Sequence, residues 1–217
     1  MKNIIFGVGD FADILFQKLI DVGIEVDAFC IDEKYYKDIS CKTQRPLVFY
    51  EDIKKQCIDD VGIYIGVIGK NCMFELRKNV FERISRDGYR ILNFIDPSAI
   101  VRTSNIGLGN IIMENVVVEA HCSIGDGNII WPNVVMPHHN TIGSFNNISP
   151  SVSLSGYSSV GNQCFIGNNA CLNNHIHVFD KGLVGAGVFV RTDLEADSVL
   201  VSPQSYILDG RKSWEFK

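Results

Sequence analysis

The sequence has no uninterrupted apolar stretch of eighteen residues, so no segment reads as a membrane-spanning helix. It has no basic run beyond pairs such as Lys54-Lys55 and Arg211-Lys212. With 20 basic against 25 acidic residues the net charge is −5, which argues against nucleic acid or an anionic membrane as the main partner. It has no C-x-x-C motif. Its seven cysteines (Cys30, Cys41, Cys57, Cys72, Cys122, Cys164 and Cys171) are odd in number and scattered. That excludes a disulfide framework or a cysteine zinc site and makes reduced, cytoplasmic thiols the expectation. The first residues carry no long apolar segment with a small-residue cleavage site, and read as a strand entering a glycine turn. What is present is ordinary globular composition, 46% apolar and 21% charged over 217 residues, enough to bury a core in one large domain or two small ones.

The dominant signal is a repeat. From Ile100 through Ile106, Ile112 and Val118 to Val190 an aliphatic residue recurs at every sixth position, sixteen times in succession. Two residues before each lies a second register of mostly small residues, among them Asn110, Val116, Cys122, Asn128 and Val134. Val116, Val134, Val152 and Val188 fall eighteen or thirty-six apart, which groups the six-residue unit in threes. Three flat faces of six residues make a triangular coil of eighteen, and stacked coils sit at the strand spacing of roughly 4.8 Å. The aliphatic ladder fills the interior, small residues take the tight corners, and glycine and asparagine supply turns of positive φ. An amphipathic helix is excluded, because a period of six matches neither 3.6 nor 2.

The first hundred residues follow another rule. Strands are expected at 3–6, 24–30, 63–68 and 90–95, with a helix after Gly9 and a charged helix over about 71–87. This βαβ pattern predicts a small parallel sheet. Gly7-x-Gly9-x-x-Ala12 after the first strand, with Asp32 at the end of the second, forms a degenerate dinucleotide fingerprint. Glycine lets backbone approach a ligand there, and a helix N-terminus favours an anion. A domain of about 95 residues lacks the second mononucleotide half, so a single nucleotide moiety fits better than a whole dinucleotide. The expected division is 1–96 for this domain, 97–195 for the β-helix, and 196–217 for a tail whose Tyr206, Ile207 and Trp214 cap the open end.

A short βαβ domain followed by an unbroken hexapeptide β-helix resembles the bacterial nucleotide-sugar acyltransferases. These include sialic acid O-acetyltransferase-like proteins and N-acetyltransferases of UDP-linked 4-amino sugars, such as the bacillosamine acetyltransferase. The segment Val134-Val135-Met136-Pro137-His138-His139-Asn140-Thr141-Ile142-Gly143 narrows the match. The resemblance implies a left-handed β-helix, a homotrimer around a threefold axis, and acetyl-CoA in the cleft between neighbouring β-helices. It implies a nucleotide-linked sugar on the N-terminal domain, at Gly7, Gly9 and Asp32, with His139 on the substrate side. The family's catalytic histidine corresponds to His138. Asn147 takes the place of a histidine that contacts the thioester in some members, and Gly156, Asn168 and Ala186 match positions along the pantetheine arm. This sequence departs from the family at three points, one of them the tail, where Val201-Ser202-Pro203-Gln204 stands for a Gly-x-Pro-Ala segment. The family's acidic residue after the histidine is replaced by His139, with Glu119 one coil below as a substitute. Its Gly-Gly-His turn is replaced by Gly9-Asp10-Phe11.

The residues themselves support His138. Its neighbours eighteen positions away are Ala120 and Gly156, small enough to leave a hollow, and a neutral imidazole near pH 7 can take a proton from an attacking amine or hydroxyl. No serine or cysteine stands beside it in an activating arrangement, which favours direct transfer. His121, His139, Tyr157 and His175 form a vertical row with no H-x-x-x-x-H pair, so no metal is expected. The outward Trp131 and Phe145 suggest a surface that association would cover. The expected activity is acetyl transfer from acetyl-CoA to the amino group of a nucleotide-linked sugar. The alternatives are O-acetylation of a sugar hydroxyl and a non-catalytic β-helix trimer.

Overall fold

Parallel strands of two residues are too short to be stable alone, so they form only where each is paired above and below. The computed structural model, which describes residues 2–38, 44–53, 60–69 and 75–203, builds such strands into a three-sided prism from Phe94 to Leu200. The first face carries seven strands and the second six, and four strands of a third face separate them. Val135–Met136, for example, lies between Val117–Val118 below and the strand at Ser153 above, each eighteen residues away. From Ile112 to Val190 no ladder residue is more than 2% exposed, and together they form one core cluster with Val116, Val134 and Val152. Each such side chain contributes about 1.5–3 kcal/mol by leaving water.

The corners obey a backbone rule. Every sixth residue from Gly109 to Gly187 has a left-handed φ between 55° and 68°. Most are not glycine: the series includes Asn115, His121, Asn133, His139, Tyr157 and Asn169. Inside one edge an amide ladder fixes the turns. Asn93 donates to the Gly107 carbonyl, Asn110 to Gly125, Asn128 to Gly143 and Asn146 to Gly161, all at 2.8–2.9 Å. Each amide oxygen accepts a backbone N–H from the coil above, ending at Cys164.

The repeat is less uniform than the sequence suggests. Val101, not Ile100, pairs with Val118, a spacing of seventeen. Ile100 is 48% exposed, while Val101 packs on the core. The sixfold series therefore begins at Ile106, and the first coil lacks one residue between Val101 and Ile106. At the other end Leu183 pairs with Val199 and Val178 with Leu194, a spacing of sixteen. The tail residues named above as a cap, Tyr206, Ile207 and Trp214, lie outside the described residues.

The N-terminal part is a five-stranded parallel sheet of order β3-β2-β1-β4-β5, comprising β1 (Lys2–Phe6), β2 (Ala28–Ile31), β3 (Leu47–Phe49), β4 (Val61–Ile65) and β5 (Arg90–Ile91). Helices α1 (Asp10–Asp21), α2 (Tyr50–Ile53) and α3 (Glu75–Arg86) accompany it. The expected strand at 90–95 is divided: Arg90–Ile91 closes this sheet, and Phe94–Ile95 begins the prism. Strand β3 is too short a run to show periodicity. None of the helices among the described residues is long and apolar enough to cross a membrane.

The two parts share a core. Phe11, Leu15 and Phe16 of α1 pack with Ile111, Met113 and Ile129 on the outer side of the first face. Trp131 meets Phe11 at 5.9 Å between ring centroids, and Phe145 meets Phe81 at 5.3 Å. Both rings read from the sequence as outward and in need of association are thus covered by their own chain. Helix α3 runs along the edge that carries the amide ladder. Its Arg77, fully buried, donates to the carbonyls of Ile65, Val67, Gly109 and Gly127 at 2.6–2.9 Å. Burial pushes this guanidinium down to about 9, which leaves it charged at neutral pH. A Cβ on Gly109 would lie 3.1 Å from the Phe81 ring, so glycine serves there both for its φ of 68° and for helix docking.

Arg77→Met removes the donor of four carbonyl bonds, three of them buried, and is expected to lower the unfolding free energy by about 3 kcal/mol or more. Urea unfolding followed by circular dichroism measures it. Arg77→Lys, with one ammonium for four separated acceptors, is expected to recover only part of the loss.

Candidate functional site

His138 stands on the edge between the second and third faces, in the turn joining Val135–Met136 to Thr141–Ile142. The turn is held from inside. The Asn140 amide, fully buried, donates to the carbonyls of Pro137 and His138, and its oxygen accepts the Ser158 N–H at 3.2 Å. The Cys122 thiol, one coil below, donates to the Pro137 carbonyl at 2.9 Å. Burial pushes this thiol above its ordinary value, so the cysteine nearest His138 remains a neutral donor rather than a thiolate nucleophile. Asn140 as the residue shaping this turn was not anticipated from sequence. Its signal was there, since it shares the interior register with Asn110, Asn128 and Asn146.

Gly156 lies directly against the imidazole. A Cβ built on it would be 2.6 Å from His138 Cε1 and 3.1 Å from Nε2. The expected hollow above His138 is therefore filled by the ring itself, and glycine is the residue that admits it. On the other side His138 Nδ1 lies 3.1 Å from His139 Nδ1. Among the described residues His138 Nε2 makes no hydrogen bond. His139 has φ 62° and its ring stacks between His121 and Tyr157, each at 4.6 Å, with His175 stacked on Tyr157 at 5.1 Å. The row of rings is a stack on a left-handed corner. His138 meets His139 and Tyr157 edge-on, at 5.3 Å and about 79° and 75°. Partial desolvation against the stack, then the neighbouring His121 and His138, lower the His139 imidazole below its ordinary value. Glu119, suggested as an orienting acid, instead pairs with Arg102 at 3.0 Å through both oxygens.

The remaining sequence-predicted positions lie elsewhere on the chain. Asn147 is on the first face, buried. Its oxygen accepts the Trp131 indole N–H at 2.7 Å and its amide donates to Ser149 at 3.3 Å. Asn168 and Ala186 are exposed and stacked on the edge between the first and second faces, one edge away from His138. His177, on the third face, pairs with Ser159 at 2.7 Å. Among the described residues no three histidine, cysteine, aspartate or glutamate side chains group as metal ligands.

Gly7 and Asp32 do come together. Both line a cavity of about 580 Å³ between the strand ends and α3, with Phe6, Ile31, Val67 and the cations Lys34, Arg83 and Arg86. Gly7 has φ 121°, and a Cβ there would fall 2.8 Å from the Gly66 carbonyl. Gly9 is outside the cavity lining; it precedes α1, and nothing lies within 4 Å of a Cβ placed there. Asp32, largely buried, accepts from Arg83 at 2.6 Å, and Arg83 lies over the rings of Phe6 and Tyr50. The Arg83 contribution was invisible in the sequence, where it is one charge among many on an amphipathic helix.

A βαβ domain sharing a core with a three-sided prism of six-residue repeats is a fold already seen in solved structures. Three of the solved structures that share it match over nearly their whole length. Perosamine N-acetyltransferase from Caulobacter crescentus, solved with CoA and GDP-perosamine, superposes with a TM-score of 0.82 at 23% identity, over 93% of this chain and 94% of that one. The acetyltransferase domain of PglB from Neisseria gonorrhoeae gives 0.77 at 20% identity, over 93% and 96%. WeeI from Acinetobacter baumannii gives 0.53 at 12% identity, over 93% and 97%. No family model matches the sequence.

Gly156→Ala is expected to turn the His138 ring away and break its contact with His139, because the added methyl overlaps Cε1 while the backbone at 156 stays within the range of any residue. A crystal structure of the variant, or the imidazole resonances in solution, reports the displacement. An unmoved ring would mean that the coil spacing opens instead.

Proposed function

We propose that the chain is an acetyl-CoA-dependent acetyltransferase acting on the amino group of a nucleotide-linked amino sugar, in bacterial surface glycan synthesis. The observation that carries this reading is the His138 imidazole. It is held by Gly156 on one side and by His139 Nδ1 on another, with Nε2 open. CoA and GDP-perosamine, with which the perosamine N-acetyltransferase was solved, support donor and acceptor classes of this kind. The Gly7–Asp32 cavity supports a nucleotide on the N-terminal domain, since Lys34 and Arg86 offset diphosphate charge and 580 Å³ suits a small ligand.

In this mechanism the neutral amine attacks the thioester carbonyl of the donor, the C–N bond forms, and His138 Nε2 takes the amine proton. The C–S bond then breaks, and His138 returns the proton to the leaving thiolate. Transfer is direct, with no acyl-enzyme. Asn168 and Ala186 are proposed as part of the wall for the pantetheine arm; Asn147, buried and bonded to the Trp131 indole, is left out of it. The two lie on another edge of the prism from His138, and the nucleotide cavity belongs to the N-terminal domain. A complete site therefore draws on neighbouring copies, which is the proposed reason for a homotrimer.

The test is free thiol release from acetyl-CoA against UDP-, dTDP- and GDP-linked amino sugars. Turnover is expected with one of them, and His138→Ala is expected to lower kcat by about 10²–10⁴-fold, the usual contribution of a positioned base. Full activity in that variant would refute the assignment of the base. CoA binding without turnover on any amino sugar would redirect the search to a sugar hydroxyl.

A further inference from the structure

The contact between His138 Nδ1 and His139 Nδ1 at 3.1 Å joins two ring nitrogens, and such a contact is a hydrogen bond only when a single proton lies between them. Two neutral arrangements satisfy it. In one, His139 donates, and His138 carries its own proton on Nε2 and has no lone pair facing outward. In the other, His138 donates, and its Nε2 lone pair is free. Only the second leaves a base. It also survives proton uptake, because an imidazolium at His138 still donates from Nδ1 to the same acceptor.

We propose that His139 is the positioning residue of His138, fixing its ring and its Nδ1–H tautomer in the place where a carboxylate would otherwise stand. This rests on the reading of His138 as the general base. The geometry gives His139 the rigidity such a role needs. Its backbone is locked at φ 62° and its ring is clamped between His121 and Tyr157, so its Nδ1 has one direction to point. The depressed basicity of His139 keeps that nitrogen unprotonated and able to accept at neutral pH. The titratable groups around the pair are His121, Cys122 and the Glu119–Arg102 pair from the coils below, and Tyr157 and His175 from the coils above. Among the described residues no carboxylate hydrogen-bonds either ring.

The proton balance is closed. The acceptor's proton moves to His138 Nε2, and the Nδ1 proton stays in the bond to His139. The Nε2 proton then leaves with the thiolate, so both histidines end neutral. A neutral partner holds the imidazolium less firmly than a carboxylate does. A carboxylate placed at position 139 is therefore the change that would raise the acid limb.

The experiment compares the full chain with His139→Asn, His139→Asp and His139→Ala. Asparagine and aspartate tolerate the left-handed backbone, as Asn133 and Asn169 already do at equivalent corners. Two readouts are taken: the nitrogen-15 resonances of the His138 ring, and the pH profile of kcat. The wild-type ring is expected to be protonated at Nδ1. In His139→Ala the ring is expected to shift toward the Nε2–H form, with kcat lower by about tenfold, a part of the base's total contribution, and KM unchanged. His139→Asn, which keeps a neutral acceptor oxygen, is expected to restore most of kcat. His139→Asp is expected to move the acid limb up by about one pH unit. An unchanged His138 tautomer in His139→Ala overturns the proposal. So does an acid limb that stays in place in His139→Asp while that variant folds and turns over. The resonance readout needs no substrate, so it decides the pairing even if His138→Ala shows that the base lies elsewhere.

Discussion

One left-handed residue at every corner is the constraint on which the prism depends. A chain of L-residues turning three times per coil must place one residue in each six at φ near 60°, and away from glycine that costs about 1–2 kcal/mol each. The cost is offset by what the turn makes possible. The coils register on one another, the aliphatic ladder is sealed from water, and from Gly127 to Gly187 each corner N–H reaches a carbonyl of the coil below. Those bonds are not equal. Phe145 N to Asp126 O is 2.8 Å, whereas His139 N to Ala120 O and Tyr157 N to His138 O are both 3.4 Å. On the His138 edge the stacked rings share the work of holding successive coils together. The side chains beside His138 are thus part of the scaffold.

From that regular body the N-terminal domain takes one face and one edge and leaves the His138 edge open. Its hold is mixed. Apolar contact comes through Phe11 and Trp131, an ion pair joins Lys18 to Glu114, and a buried charge, Arg77, is answered among the described residues by carbonyl dipoles alone. A buried arginine without a carboxylate is costly unless every donor is well placed, and Arg77 binds corner carbonyls that exist only when the prism has formed. Folding of the two parts is coupled through it. The same coupling fixes the nucleotide-sized cavity relative to the prism, so chemistry that joins the two rests on rigid elements rather than on a hinge.

Much of this was legible in the sequence, for a physical reason. A position repeating every six residues sees the same kind of environment fifteen times from Ile106 to Val190, so the interior ladder and the small interior corners announce themselves. Single events carry no such redundancy. The deletion between Val101 and Ile106 was masked because Ile100 is itself aliphatic and fell by chance in the right frame. Trp131 and Phe145 read correctly as pointing out of the prism, but the sequence could not say what lay outside. Arg77 and Arg83 look alike on a charged helix, and only the tertiary structure makes one a clamp and the other a cavity wall. His139 was visible as a member of a row eighteen apart. That its ring nitrogen faces His138 depends on side-chain torsions that no periodicity encodes.

The two shortened coils have a consequence for solubility. A prism built of identical eighteen-residue turns would end in strands whose free N–H and C=O groups match those at its other end, an open invitation to grow into a fibre. Here the first turn has lost one residue and the last has lost two. The perimeters at the two ends differ from the body and from each other, so strands laid end to end would fall out of register after a single side of the triangle. The irregularity that hides at the margins of the repeat sets its two ends apart from its body and from each other.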